Sequence, residues 1–272
     1  MWRNIDEFTA LFILCFVGGY VDVVGWLGLY NLFVGSITGN LVLAGASVVY
    51  SIGVIPRVVV SGVFVGAAMI GGFLSSALSS HYNCSTRQVL QCLLILEVAC
   101  LGATWLSGQL LLSTLTSLSS PNVTFVGSMA ALAMGVQSSA VKECIAGAPS
   151  TNVLTTTLTN CGALLGGALH AALALWGALP SPLSKEERWA NLRAKLTNFG
   201  RASMPVVAFV SGVCLGAALQ YYVDFHSCCI PVALLLFLVV QLALPLPPPA
   251  QPEESPLQAA ALSARLATSA PQ

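Results

Sequence analysis

The residues with the greatest chemical potential in this chain are polar side chains inside long apolar segments. Asp22 is the only charged residue between positions 8 and 30, and the sequence S-I-T-G-N at 36–40 follows before apolar residues resume. A carboxylate in hydrocarbon costs at least ~2.5 kcal/mol on insertion scales. Backbone that leaves a helix at membrane depth needs cover from protein or water. An acid followed by such a break is therefore the strongest candidate for a binding site.

The composition indicates that these segments belong to an integral membrane protein. Of the 272 residues, 56% are hydrophobic and only 7% are charged, against about 25% charged residues in soluble domains. So few charges cannot cover a water-facing surface of this size. The formal net charge is zero, which provides no general attraction to nucleic acid. The expected partner is the lipid bilayer.

The apolar segments predict an all-α helical bundle. A span needs ~20 apolar residues, and six full spans are expected within residues 8–30, 58–79, 88–118, 123–141, 202–223 and 228–244. Two shorter helices are expected to start at polar breaks, near Thr38 and near Thr157. These can re-enter the membrane on one side. The alternative is eight full spans.

Further polar residues lie inside the predicted helices. Glu97 is a second acid within a span, Gln137 places an amide in another, and T-T-T-L-T-N at 155–160 opens an apolar helix that carries His170. Each has a purely structural alternative, such as a hydrogen bond that locks two helices or a side chain that caps the next helix. The candidate substrate-binding or ion-binding residues are Asp22, Thr38, Gly39, Asn40, Gln137, Thr159 and Asn160, with Glu97 and His170 as weaker candidates.

A nine-residue sequence occurs twice in the chain. V-S-G-V-F-V-G-A-A at 60–68 returns as V-S-G-V-C-L-G-A-A at 210–218, with seven of nine positions identical. A polar break precedes each copy, and a helix with a buried polar residue precedes each break. This order favours duplication into two membrane repeats, 8–118 and 119–244. The alternative is convergent G-x-x-x-G packing. Duplicated halves with broken helices predict a transport site at their interface.

The remaining segments set the expected topology. Ser184 and Glu187 form a capping box at the start of an amphipathic helix, 184–199, whose basic residues predict a cytoplasmic position on the membrane surface. Two spans follow this loop, so we expect both termini in the cytoplasm. Residues 1–7 are a short lead, and the Pro-rich segment 245–272 is expected to be disordered.

The polar motifs together resemble the YoaK-like family of multi-spanning membrane proteins, a family of unknown function. The resemblance rests on G-x-V-D-x-x-G at 19–25, F-V-x-x-x-T-G-N at 33–40, M-G-x-Q at 134–137 and the Thr/Asn-rich break at 155–160. It covers roughly residues 8–244. The second break reads L-T-N at 158–160, where the family often has T-G-N. The resemblance implies a membrane fold with similar polar motifs, and no particular substrate.

Three classes of function fit these observations to different degrees. A transporter of a small solute is favoured, with Asp22 binding a proton or cation. A membrane scaffold or regulator, in which the polar residues lock helix packing, is the alternative. An enzyme is not expected, because the chain has no H-E-x-x-H, G-x-S-x-G or P-loop motif. No catalytic residue, cofactor or metal site is predicted, and a homo-oligomer is compatible with the sequence.

Overall fold

The computed structural model describes residues 6–50, 53–145, 154–180 and 182–245, and all regular structure within them is helical. The α-helices are α1 (Glu7–Gly28), α2 (Ile37–Tyr50), α3 (Val54–His81), α4 (Thr86–Leu110), α5 (Pro121–Cys144), α6 (Leu154–Leu175), α7 (Lys185–Val223) and α8 (Cys229–Ala243). Short 3-10 helices lie at Leu112–Thr114 and Asp224–Cys228. The predicted all-α class is confirmed. The Pro-rich tail from 246 onward and residues 1–5 of the lead lie outside the described residues.

Six helical stretches in the described part of the chain are long and apolar enough to cross a membrane. They are α1, α3, α4, α5, Thr156–Leu175 within α6, and the stretch Lys185–Ala243 that contains α7 and α8. The chain thus has the helices of a multi-pass membrane protein, and the number of stretches equals the predicted six. The set differs, because α6 is among them and the predicted spans 202–223 and 228–244 lie in one stretch. Of the two segments expected to be short, only α2 is, with 14 residues. Helix α6 extends over 22 residues, because its apolar sequence continues to Leu175.

The predicted amphipathic helix is not a separate element. The capping box of Ser184 and Glu187 is present at the start of α7. Helix α7 is 39 residues long and continues past Pro205 into the following span. At 1.5 Å per residue this is about 58 Å, nearly twice the ~30 Å hydrocarbon core. The hydrophilic segment packs along α6, where the Arg188 guanidinium donates to the Ala174 carbonyl at 2.8 Å.

Two pairs of helices form the closest contacts of the bundle, and both are parallel. Helix α7 packs on α1, with Gly212 against the Phe16 backbone and Gly216 against Tyr20. Helix α5 packs on α3, where the Ser139 hydroxyl donates to the Ala68 carbonyl at 2.6 Å. Each pair is a helix with a buried polar residue beside a helix that carries one copy of the repeated nine-residue sequence.

Two further pairs are antiparallel. In α1 and α5, Leu14 contacts Gln137 while Leu29, at the opposite end of α1, lies beside Gly127. In α4 and α8, the Arg87 guanidinium donates to the carbonyls of residues 241, 242 and 244 at 2.9 Å. The other end of α4 contacts the 3-10 helix that precedes α8. The parallel pairs thus run in opposite directions through the bundle.

The G-x-x-x-G sequences do not all mediate close packing. A Cβ atom added at Gly212 would meet the Phe16 backbone, whereas Gly62 and Gly66 have no atom within 4 Å of that position. A Cβ atom added at Gly162 or Gly166 would likewise have no atom within 4 Å. The sequences at 62–66 and 162–166 therefore make no close helix contact through their glycines, which face away from the neighbouring helices.

The matched glycines of the two nine-residue copies provide a test of this packing. Gly212→Ala places a methyl group against the Phe16 backbone, so we expect a loss of about 1–3 kcal/mol from overpacking. In Gly62→Ala the new methyl group meets no atom. Because alanine favours the helix more than glycine does, this change should stabilise the protein by up to about 1 kcal/mol. Thermal unfolding of the purified protein in detergent should show a lower midpoint for Gly212→Ala alone. Equal midpoints for both variants would contradict the α1–α7 contact.

Candidate functional site

The carboxylate of Asp22 is bound by the loop that joins α1 to α2. Its Oδ1 accepts hydrogen bonds from the backbone N–H groups of Val34 at 3.0 Å and Gly35 at 2.9 Å. Its Oδ2 accepts one from the Ser36 hydroxyl at 2.5 Å. The side chain is only 6% exposed. The protein's own loop therefore provides three hydrogen-bond donors to this carboxylate.

Aromatic and small residues hold this loop against α1. The rings of Trp26 and Phe33 lie 4.4 Å apart between centroids. A Cβ atom at Gly25 would be 2.8 Å from a methyl group of Val34, and one at Gly39 would be 2.9 Å from the Phe33 ring. Both glycines are thus needed for the close approach of loop to helix.

Asn40 completes the loop at the start of α2. Its side chain forms two hydrogen bonds with the backbone of Phe33, accepting the N–H at 3.0 Å and donating to the carbonyl at 2.6 Å. Asn40 is 2% exposed, whereas Thr38 is exposed. Within the T-G-N sequence, the Asn40 side chain therefore holds the loop in place. Both of its hydrogen bonds are made with the Phe33 backbone.

Gln137 connects α5 to α1. It is fully buried, and its Nε2 donates to the Leu14 carbonyl at 2.5 Å. Its Oε1 has no hydrogen-bond partner among the described residues. The structure thus separates Gln137 from the loop around Asp22, where the partners of the carboxylate are residues 34–36.

The second break lies beside a cavity of about 1080 Å³ between α1, α6 and α7. This exceeds the usual 300–1,000 Å³ of small-molecule sites. Predicted site residues Thr159 and Asn160 line it from α6. The other polar lining residues are Thr156 and Thr157 from α6, Asn198 and Arg201 from α7, and Glu7 from α1. The cavity can receive a polar molecule through hydroxyl, amide and charged groups.

Some lining residues were missed by sequence reasoning. Asn198, Arg201 and Pro205 follow each other at spacings of three and four residues, so they share one face of α7. That periodicity was available in the sequence, but the segment was interpreted as a surface helix. Glu7 lies at the end of the short lead predicted for residues 1–7, and its place in the cavity depends on the packing of α1 beside α7.

The two weaker candidates lie in contrasting places. Glu97 is fully buried in α4, and neither of its carboxyl oxygens has a hydrogen-bond partner among the described residues. His170 is exposed on α6 and is not part of the cavity lining. Neither is a hydrogen-bond partner of Asp22, so the three do not form one constellation. Among the described residues there is no group of three or more His, Cys, Asp or Glu suited to a metal ion.

Comparison with known proteins provides one match. A family model described as "Protein of unknown function (DUF1275)" matches residues 10–241. This range contains every polar motif from which the family resemblance was inferred. The YoaK-like name stays a prediction that is consistent with this match. No significant match is found among curated proteins or solved structures.

The loop around Asp22 leads to a prediction about stability. Asp22→Ala leaves the donors at 34–36 unpaired in a buried place, so we expect a loss of about 2–4 kcal/mol from several charge-assisted hydrogen bonds. Asp22→Asn keeps one acceptor oxygen for Val34 and Gly35, so its loss should be smaller. Thermal unfolding in detergent measures both, with exposed Thr38→Ala as the control. Equal stability of Asp22→Ala and Thr38→Ala would contradict this role.

Proposed function

Because the chain belongs to the DUF1275 family, whose function is unknown, we propose from its geometry that the protein is a secondary transporter of a small polar solute. The proposed solute site is the cavity between α1, α6 and α7. The observation that carries the proposal is an open cavity, with polar side chains in a mainly apolar wall, at a predicted helix break in a multi-pass membrane protein. Non-enzymatic function stays a prediction.

The lining of the cavity supports a polar solute of modest size. Thr159, Asn160 and Asn198 offer hydroxyl and amide groups, while Arg201 and Glu7 offer one charge of each sign. Apolar residues from the start of α1, from α6 and α7, and from the end of α5 form the remaining wall, namely Phe8, Leu11, Ile145, Ala163, Ala202 and Pro205. A few polar groups in a partly apolar wall are the usual means of orienting a small ligand.

The helix pairing supports two inverted repeats, 8–118 and 119–244. Exchanging α1 with α5, α2 with α6, α3 with α7 and α4 with α8 converts the α1–α7 contact into α5–α3. It also converts α2–α3 into α6–α7, and α4–α5 into α8–α1; all of these contacts are present. The antiparallel α1–α5 and α4–α8 pairs fit an axis in the membrane plane. Transporters commonly place their site between such repeats.

The two breaks differ in a way that supports alternating access. In the first half, Asn40 is buried against the Phe33 backbone and the loop closes on Asp22. In the second half, Asn160 is exposed and lines the cavity. Inverted repeats with one closed and one open break are expected when a transporter is open to one side.

A second candidate is a membrane scaffold or regulator without transport. The saturated hydrogen bonds of Asp22 and Asn40 favour it, because they describe polar residues that fix a loop and a helix start. This candidate predicts that the cavity beside Asn160 binds no solute. The two candidates therefore differ at the second break and agree at the first.

Cysteine accessibility separates these candidates. On a background in which the nine native cysteines are replaced, we expect Asn160→Cys to react with a membrane-impermeant thiol reagent, because the residue lines an open cavity. Asn40→Cys should not react, because the position is buried. Leu165→Cys, which is exposed on α6 but is not part of the lining, is the control for lipid-facing positions. A screen of small polar solutes then tests for protection of Asn160→Cys.

The outcomes have distinct meanings. Labelling of Asn160→Cys that one solute slows would support transport and identify a ligand. Labelling that no solute slows would favour the scaffold, and absence of labelling would contradict an accessible cavity. The predicted topology places the segment 184–199 in the cytoplasm, so labelling should occur from that side of sealed vesicles.

A further inference from the structure

Glu97 differs from the other acid of the predicted spans. It lies in the middle of α4, is 0% exposed, and has no hydrogen-bond partner for either oxygen among the described residues. Asp22 instead accepts three hydrogen bonds from its loop. Asp22 is thus accommodated as a charged group, while the surroundings of Glu97 accommodate only a neutral one.

Helix α8, which packs on α4, offers no counter-ion at the level of Glu97. Gln91 and Trp105 bracket Glu97 on α4, and they contact the Val239 carbonyl at 3.5 Å and the His226 imidazole at 3.4 Å. The part of α8 that passes Glu97 therefore lies between those contacts. In that part, 229–238, the only titratable side chain is a cysteine at its start.

The other elements packed against α4 are α5, α3 and the two 3-10 helices. Their titratable and charged side chains, with those of α8 and of α4 itself, are Lys142, Glu143, Cys144, Arg57, His81, Asp224, His226, Cys228, Cys229, Arg87, Cys92 and Cys100. The basic ones lie near helix ends, whereas Glu97 lies at mid-helix. Cys100 lies three residues from Glu97, about one turn along α4. A thiol does not compensate a carboxylate.

We infer that Glu97 is a proton-binding site whose proton exchanges with water when α4 moves against α5 and α8. In the conformation described, the carboxyl group holds its proton because an unpaired charge there is strongly unfavourable. When the helices part, the proton passes to the water that enters, and it returns before they close. Acids inside membrane helices are frequent proton relays.

This inference moves the coupling role predicted for Asp22 to Glu97. A role of Glu97 in coupling rests on the proposed transport function. The presence of an exchangeable proton on Glu97 does not. A transporter driven by protons needs an acid that is neutral when enclosed and releases its proton when opened. Asp22 does not meet that need, because its hydrogen bonds hold the loop in place.

Infrared spectroscopy of the full-length protein in liposomes tests this state directly. At neutral pH we expect a carbonyl band of a protonated carboxyl group, which is absent from Glu97→Gln and retained in Asp22→Asn. After transfer to heavy water, the band should shift while the slowest backbone amides remain unexchanged, because opening of helices is smaller than unfolding. The amide bands of the same sample are the internal control.

Three results would overturn the inference. The band could be absent from the native protein, or be lost in Asp22→Asn and retained in Glu97→Gln, so that Glu97 carries no proton. It could also shift only together with the slowest amides, so that water reaches Glu97 only by unfolding. None of these depends on a solute, so this test can fail while the labelling of Asn160→Cys succeeds, and the reverse. If a solute is identified, Glu97→Gln should lose uptake driven by a pH gradient and retain solute exchange.

Discussion

The fold depends on satisfying a carboxylate inside apolar helices. Asp22 obtains its partners from the backbone of residues 34–36, so the loop must turn back along α1 and α2 must begin at that depth. The position of α2 in turn affects how α3 packs. The Arg57 guanidinium of α3 donates to Ser47 of α2 at 2.9 Å, and α3 packs on α5. These contacts connect the loop around Asp22, through α2, to the packing of α3 on α5.

The sequence was sufficient to predict the class of protein, the helices and the fact that Asp22 belongs with residues 33–40. Low charge and long apolar segments leave few alternatives to a membrane bundle. It was not sufficient to predict what Asp22 binds, because backbone N–H groups are present in every sequence and only the folded loop directs them. The motif F-V-x-x-x-T-G-N therefore suggested a ligand site, whereas its Phe, Gly and Asn residues serve to hold the loop.

The repeated nine-residue sequence shows a related limit. Lipid tails and protein interiors are equally apolar, so an apolar helix in a membrane does not reveal which face meets its neighbour. Gly212 contacts the Phe16 backbone while the matching Gly62 faces open space. The case for duplication therefore rests on the exchange of helix pairs, which depends on the order and direction of the helices. That information becomes available only in three dimensions.

The unequal treatment of polar groups connects the fold to the proposed function. A scaffold gains stability by satisfying each buried polar group, as the first half does at Asp22 and Asn40. The chain departs from that rule at Glu97, whose carboxyl group has no hydrogen-bond partner in the part of the chain that the structure describes, and at Asn160, which faces a cavity. The unpaired carboxyl group of Glu97 costs stability in the conformation described, whereas the exposed amide of Asn160 costs none and is accessible to a ligand. The proposed transporter would use both groups. A polar side chain whose hydrogen bonds are all made within the protein has none left for a solute or a proton.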